Sequence, residues 1–325
     1  MSKALVYKNV SLQNLWNCYE QYALVFLVLS WLVHCLLILL SVAFFTLFER
    51  KVIALFHNRV GPNKVTFVGL IQPLLDAFKL LTKQTITPLR SNKFVYNISP
   101  QLSLVLSLFT WLTMPLVYNI SHLNYSFLMF FCIGSIIVFF VLLSGWASNS
   151  KYSLIGRLRS IAQSVSYEAV IRTVIVLFTF LIFSYRVSSF YRVSSFLFLV
   201  LSPVWFICIL AETHRAPFDF SESESELVSG FNTEYSGAYF AFLFLSEYTM
   251  LLYSCFIITY MFLSPLFFLK TSFIIILCRV LISFLFIWVR VTYCRFRYDL
   301  LIIAAWKILL PSVLMLFVVL VVLSF

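Results

Sequence analysis

Apolar residues in this chain run in long unbroken blocks, with short polar segments between them. Eight blocks are read as membrane spans, at about 22–48, 98–118, 123–147, 161–185, 193–212, 238–262, 271–289 and 300–325. A helix rising 1.5 Å per residue crosses a hydrocarbon core of about 30 Å with roughly twenty residues, and each block is long enough. The stretch GLIQPLLDAFKLLTK (69–83) follows another pattern. Leu70, Leu74, Leu75, Phe78 and Leu81 recur at helical spacing, while Asp76, Lys79 and Lys83 fall elsewhere. This helix is too short and too charged to span, so it is expected to lie along the membrane surface. There it serves either as a plain anchor or as one wall of a portal for a ligand dissolved in the bilayer. The fold class read from these patterns is an all-α integral membrane protein, one membrane domain over 1–325. It has about eight transmembrane helices and an amphipathic surface helix after the first. Glu49, Arg50 and Lys51 are expected to end the first span, Pro115 and Pro203 to kink theirs, and Pro100 and Pro311 to stand at helix ends.

Composition narrows the class. Of 325 residues, 62% are hydrophobic and 11% charged. Soluble domains carry about 25% charged residues, so this chain lacks the polar groups to cover a globule. That excludes a soluble enzyme, a disordered chain and a secreted disulfide scaffold. The seven glycines include no nucleotide-binding spacing. The seven cysteines contain no CxxC pair and read as small buried hydrophobes. Four scattered histidines complete no ligand set, and no metal or flavin is expected on this chain alone.

The net charge of +11 does not point to nucleic acid, because the basic residues are dispersed through the loops. Fifteen Lys and Arg fall in the loops after odd-numbered spans, at 49–97, 148–160, 213–237 and 290–299, against five on the other side. The positive-inside rule then places the long loops in the cytoplasm or matrix and both termini outside. Residues 1–20 lack the apolar core of a cleavable signal. YRVSSF occurs at 185–190 and again at 191–196, and reads as a neutral duplication in a tolerant loop.

The twelve acidic residues carry the candidate chemistry. Glu168 and Glu247 lie inside apolar blocks, where an ionised carboxylate costs about 2.5–3.5 kcal/mol on insertion scales. Such groups commonly mark a proton or ion path. Arg172 follows Glu168 by four residues and shares its helix face, so the two are expected to pair. Arg279 is a possible partner for Glu247 across helices. The segment 213–237 holds SESESE (221–226), with Glu212, Asp219 and Glu234 close by. It reads either as a solvated acidic loop or as a packed set of carboxylates with coupled proton occupancies.

Six stretches together resemble the family of chain 1 of NADH:ubiquinone oxidoreductase, the membrane subunit that joins the two arms of respiratory complex I. They are ERK (49–51), RVGPNKV (59–65), GLIQPLLDAFKLLTK (69–83), GWASNSKYSLIGRLRSIAQSVSYEA (145–169), AETHRAPFDFSESESELVSGFNTEYSG (211–237) and RFRYDLLIIAAWKILLP (295–311). The resemblance implies a subunit of a proton-pumping NADH:quinone reductase with no independent activity. It implies a quinone chamber entered beside span 1, the amphipathic helix and span 6, with Glu49, Arg50, Asp76, Arg215, Phe218 and Asp219 as chamber residues. Arg215 and Asp219 fall in the loop block, where they could form an ion pair that shapes the loop. Proton coupling is carried over to Glu168, Glu212, Glu222, Glu224, Glu226, Glu234 and Glu247. Ubiquinone is the implied substrate, with iron–sulfur clusters and FMN held in partner subunits. The implied partners are peripheral-arm quinone-site subunits, antiporter-like membrane subunits and the lipid bilayer. The implied place is the mitochondrial inner membrane, with both termini on the intermembrane-space side.

The chain departs from the family at Gln84 (usually Glu), His214 (usually Asn), Ser223 (usually Gly), Tyr239 and Cys294 (usually Pro), Leu300 (usually Gln) and Arg157 (usually small and apolar). Two other readings stand beside this one. One is the matching subunit of a plastid dehydrogenase or membrane-bound hydrogenase. The other is a stand-alone ion carrier, although no internal symmetry of the carrier type is visible. The 37 phenylalanines suggest an AT-rich organelle genome.

Overall fold

A computed structural model of the chain describes the backbone of residues 2–114, 124–187, 189, 195–220, 230–263 and 272–324. The chain divides into two compact units, Met1–Ser41 and Val42–Phe325. The first is helical from Ser2 onward. The second carries the architecture described below.

The described elements are helical throughout. They are α1 (Ser2–Phe56), α2 (Gln72–Thr82), α3 (Lys93–Thr110), α4 (Ser126–Ala147), α5 (Lys151–Ile182), α6 (Ser195–Glu212), α7 (Gly237–Ile258), α8 (Ser272–Thr292), α9 (Tyr298–Ala304) and α10 (Leu310–Ser324). A π-helical turn, Thr259–Leu263, extends α7, and another, Ala305–Leu309, joins α9 to α10. Among the described residues, six stretches are long and apolar enough to cross a membrane: Val28–Phe56, Ser126–Ala147, Lys151–Ile182, Gly237–Leu263, Ile274–Thr292 and Tyr298–Val322. A seventh apolar helix, Val200–Glu212, is shorter. The block expected at 98–118 corresponds to α3 and a 3-10 turn, Trp111–Thr113. Its last residues, like Pro115 and most of the second YRVSSF copy, lie outside the described residues.

Three expectations change. Helix α1 does not stop at Glu49–Lys51 but runs on to Phe56. Glu49 is buried, and tertiary partners neutralise its charge, so the charged triplet is no stop signal. Pro100 stands inside α3 rather than at its end. Helix α5 begins at Lys151, because Ser153, Gly156, Arg157 and Ser160 of the polar stretch before the apolar block form one buried face.

The surface is greasy and much of the core is hydroxylic. Large apolar side chains point outward along α8 and α10, among them Ile276, Leu281, Met315 and Val322. Inside, Ser99, Ser103, Ser107 and Thr110 form a buried row on α3. Three of these hydroxyls donate to carbonyls three residues back: Ser103 to Pro100 at 2.8 Å, Ser107 to Leu104 at 2.8 Å and Thr110 to Ser107 at 2.6 Å. Small residues that satisfy themselves in this way let helices approach closely in lipid. Helix α3 packs against α4 and α7 along this region.

The connections expected on one membrane side gather at one end of the second unit. The Asn92 amide donates to the Ala147 carbonyl at 3.0 Å, the Asn149 side chain to Arg90 at 3.2 Å, the Ile86 amide to Ser236 Oγ at 2.9 Å and the Phe296 amide to Pro217 at 3.2 Å. Gly237 opens α7 at φ +58°, with the Lys83 carbonyl 2.7 Å from where a Cβ would sit. A side chain there has no room, and glycine alone takes this backbone without strain.

Candidate functional site

Three helices of the second unit enclose a slot. The face of α1 presents Val42, Ala43, Thr46, Glu49, Arg50 and Ile53. The face of α2 presents Pro73, Asp76, Ala77 and Leu80, and that of α7 presents Phe240, Ala241, Phe244, Leu245 and Tyr248. Each set recurs at steps of three, four or seven, as one side of a helix requires. Arg290, from the end of α8, completes the lining, and the cavity volume is about 440 Å³. That lies within the range of small-molecule pockets, about 300–1,000 Å³. The opposite face of α2 points outward through Leu74, Leu75, Phe78 and Leu81, and Leu70, just before the helix, is exposed as well. The apolar residues that mark this helix in the sequence are thus available to lipid, while its less conspicuous face lines the slot.

Glu49 is the electrostatic centre. Arg215 Nη1 donates to Glu49 Oε1 at 2.9 Å, Arg290 Nη1 pairs with the same oxygen, and the Tyr248 hydroxyl donates to Oε2 at 2.9 Å. The Arg215 guanidinium also lies over the Tyr248 ring, 4.5 Å from its centroid. A carboxylate so enclosed is stable only because its lone pairs are filled and its charge is over-compensated. Two guanidiniums against one carboxylate leave a net positive site at this end. Beside it, Arg50 Nη1 donates to Asp76 Oδ2 at 2.6 Å, and Gln72 Nε2 donates to Oδ1 at 3.0 Å. The other walls are apolar or aromatic.

The acidic segment is pinned where it is described. Gln163 on α5 donates to the carbonyls of Ala211, at 2.8 Å, and Phe218, at 2.9 Å. Phe218 stacks on Phe296 with centroids 5.9 Å apart. It packs the segment and does not line the slot. The Arg215–Asp219 pair, possible from the sequence, gives way to other partners: Arg215 goes to Glu49, and Asp219 lies 3.6 Å from Arg295. The charges thereby tie this segment to α1 and to the segment before α9.

Glu168 pairs with Arg172 as their spacing suggests, and Ser135 on α4 donates to Glu168 at 3.0 Å. Glu212 lies within electrostatic reach of Glu168 and Tyr253. The Tyr96 hydroxyl donates to the Glu234 carbonyl at 2.6 Å, and the Tyr96 ring stacks on Tyr235 at 4.3 Å. Glu247 neighbours Tyr248 on α7. Arg279, a possible partner for Glu247 in the sequence, stacks on Phe256 at 3.9 Å and lies near Tyr260. Glu222, Glu224, Glu226 and Ser223 lie outside the described residues. Among the described residues no three His, Cys, Asp or Glu side chains gather as a metal site.

His214 adopts φ +50°, a left-handed conformation that asparagine tolerates better than most residues. Burial, and then the nearby Arg157 guanidinium, push its pKa down from 6.5 to about 4. The folded chain therefore keeps this imidazole neutral while the unfolded chain protonates it. Stability is full above about pH 6.5 and falls as pH drops towards 4. His214→Asn should flatten that fall, read as thermal stability of the assembled protein at pH 5 against pH 7.5. An unchanged slope would contradict it.

Sequence reasoning missed Tyr248, Arg290, Phe240, Phe244 and Leu245. The α7 residues carried a signal, since 240, 241, 244, 245 and 248 share one helix side. Arg290 carried little, because a cation at the end of an apolar block reads as a topology marker.

Comparisons with known proteins agree on one family. A family model described as NADH dehydrogenase matches residues 29–321. A protein of Aedes aegypti named NADH-ubiquinone oxidoreductase chain 1 is 46% identical over 290 residues, covering 86% of this chain and 90% of its own length. Proteins of the same name are 44% identical in Heterololigo bleekeri, covering 90% and 96%, and 43% identical in Lemur catta, covering 84% and 89%. With matches of this extent joined to a helical membrane architecture, the chain belongs to the NADH dehydrogenase family of NADH-ubiquinone oxidoreductase chain 1 proteins.

Proposed function

We propose that this chain is a membrane subunit of a proton-pumping NADH:ubiquinone oxidoreductase and that the slot between α1, α2 and α7 admits the quinone. The observation that carries this reading is the slot itself, with apolar walls that lead to a polar end at Glu49, Tyr248, Arg290, Arg50 and Asp76. A quinone has the same two halves, a greasy tail and a headgroup rich in hydrogen-bond acceptors. Arginine and tyrosine donors suit those acceptors. Quinone is the substrate here, and electrons reach it from FMN and iron–sulfur clusters held in peripheral-arm partners.

The acids in and around the second unit form the first part of the proton path. Glu212 and Glu168 interact, and Glu247 adjoins the slot residue Tyr248. Two carboxylates near each other in a medium of effective dielectric about 20 interact by several kcal/mol. A change of proton occupancy at the slot is therefore felt along the row towards antiporter-like membrane subunits. Glu226→Gln should lower quinone reduction and pumping together while the complex still assembles; normal turnover in isolated membranes would count against it.

Residues 1–325 form one membrane domain of about eight spans in the mitochondrial inner membrane. Both termini face the intermembrane space and the long loops face the matrix. The animal origin of the relatives and the clustering of the odd-numbered loops at one end support this.

The direct test narrows the slot. Ala77→Phe places a ring in the lining opposite α7. It should raise KM for a short-tail quinone about tenfold while NADH oxidation by an artificial acceptor stays normal. Unchanged KM in an assembled complex would refute quinone passage here.

A further inference from the structure

Residues 57–71 connect α1 to α2, and they fold back against one side chain of α1. At Gly61 a Cβ would lie 3.2 Å from both Cα and Cγ of Lys51, so the backbone runs close over the lysine stem. The Lys51 ammonium donates to the Val68 carbonyl at 2.7 Å. Between these two points the strap closes on itself. The Pro62 carbonyl presses on Gly69, 2.4 Å from where a Cβ would sit.

The strap holds a costly backbone. Thr66 stands at φ +57° and ψ −175°, and Val68 at φ +62° and ψ 15°. Gly69 follows at φ +74°. Only the last of these conformations suits its residue. A β-branched side chain crowds the backbone at positive φ, and the combination at Thr66 belongs almost wholly to glycine. Such conformations persist only where their surroundings impose them. Lys51 does so here, because it grips the carbonyl that joins Val68 to Gly69.

The strap ends where α2 begins, and α2 is one wall of the slot. Neighbouring side chains of α1 therefore hold α2 in two ways. Arg50 takes Asp76 within the helix, and Lys51 takes the strap that leads into it. The Arg50–Asp76 pair is exposed, and exposed pairs fix a position weakly. We propose that Lys51 is a positioning residue for the slot: it clamps the strained strap and so fixes how closely α2 stands to α1 and α7. Without the clamp, Thr66 and Val68 relax to ordinary backbone and the start of α2 shifts with them. Lys51 itself is not among the lining residues. The inference rests on the entry of quinone between α1, α2 and α7 proposed above.

The test uses the intact complex. Lys51→Met keeps the apolar stem and removes the donor. Hydrogen exchange of amides 66–76 should then speed up about fivefold or more. KM for a short-tail quinone should rise about fivefold while kcat stays near its starting value. Lys51→Arg keeps a donor and should stay close to the parent in both. Glycine takes positive φ without strain, so Val68→Gly added to Lys51→Met should bring both readouts back towards the parent. A lysine that only adds stability would not be replaced by a glycine at that position. Unchanged exchange in Lys51→Met, or no recovery with Val68→Gly, overturns the clamp. Where Lys51→Met fails to assemble, the double variant must restore assembly, and its failure to do so overturns the clamp as well. A KM that rises in Ala77→Phe but not in Lys51→Met overturns the link from strap to slot. A KM that rises in neither counts against quinone entry, while exchange still reads the clamp by itself.

Discussion

Replacing Glu49 by glutamine is expected to strip the protein from its assembled complex. The change keeps the shape and removes the charge that holds Arg215 and Arg290 together at the polar end of the slot. Arg215 is only 10% exposed, so water cannot take over the role of the lost carboxylate. Removing one member of a buried ion pair costs about 3–5 kcal/mol, because the other charge is stranded. Whole-domain stability is only about 5–15 kcal/mol. Native gels should show the assembled complex reduced several-fold, and the remainder should inactivate at lower temperature. Adding Arg290→Gln to Glu49→Gln should recover part of the loss, since one stranded cation is gone. By contrast, Asp76→Asn should cost far less, because the Arg50–Asp76 pair is 52% and 33% exposed and such pairs contribute about 0–1 kcal/mol. Equal losses for Glu49→Gln and Asp76→Asn would mean that burial does not set the energetics of this site.

The second large effect is steric. Gly145 packs against Arg157 so closely that a Cβ would lie 2.0 Å from Arg157 Cγ and 2.7 Å from its Cβ. These atoms sit near the backbone of α5 and cannot swing aside as a side-chain tip would. Gly145→Ala must push α4 and α5 apart, and overpacking of this kind costs about 1–3 kcal/mol or more. Arg157 is itself 2% exposed, at a position where the family resemblance leads one to expect a small residue. The double variant Gly145→Ala/Arg157→Ala should therefore be more stable than Gly145→Ala alone, the two interacting by more than 1 kcal/mol in a double-mutant cycle. Additive effects would remove the claim that this glycine makes room for this arginine. Thermal denaturation of the purified complex, followed by subunit release, measures both.

Much of the fold was legible because the bilayer is a demanding solvent. Helices are the solution for long apolar blocks without edges, and six of the described stretches are long and apolar enough to cross, with a seventh shorter, where eight blocks were expected. Helix ends were less legible. Nothing local at Glu49–Lys51 reveals that the helix continues to Phe56, since the charges that permit it come from residues 166 and 241 positions away. The polar start of α5 was unreadable for the same reason. It is helical because its small side chains and Arg157 are buried by neighbours.

The site divides in the same way. Glu49, Arg50 and Asp76 stand out as charges beside apolar runs, and they do line the slot. Arg215 and Asp219 also stand out, but each takes a partner distant in sequence rather than the other. Tyr248 on α7 looked like part of an ordinary apolar span until its hydroxyl was seen to reach Glu49.

By itself the sequence determined the membrane class, the helix-rich architecture, the surface helix with its outward apolar face and the i,i+4 pairing of Glu168 with Arg172. These depend on solvent transfer and on contacts within one helix, which composition and spacing encode directly. Only the tertiary structure decided which charge meets which across helices, which face of α2 turns inward and where space remains among three elements. A pairing over such distances depends on how whole helices are placed, and no short window of sequence carries that information.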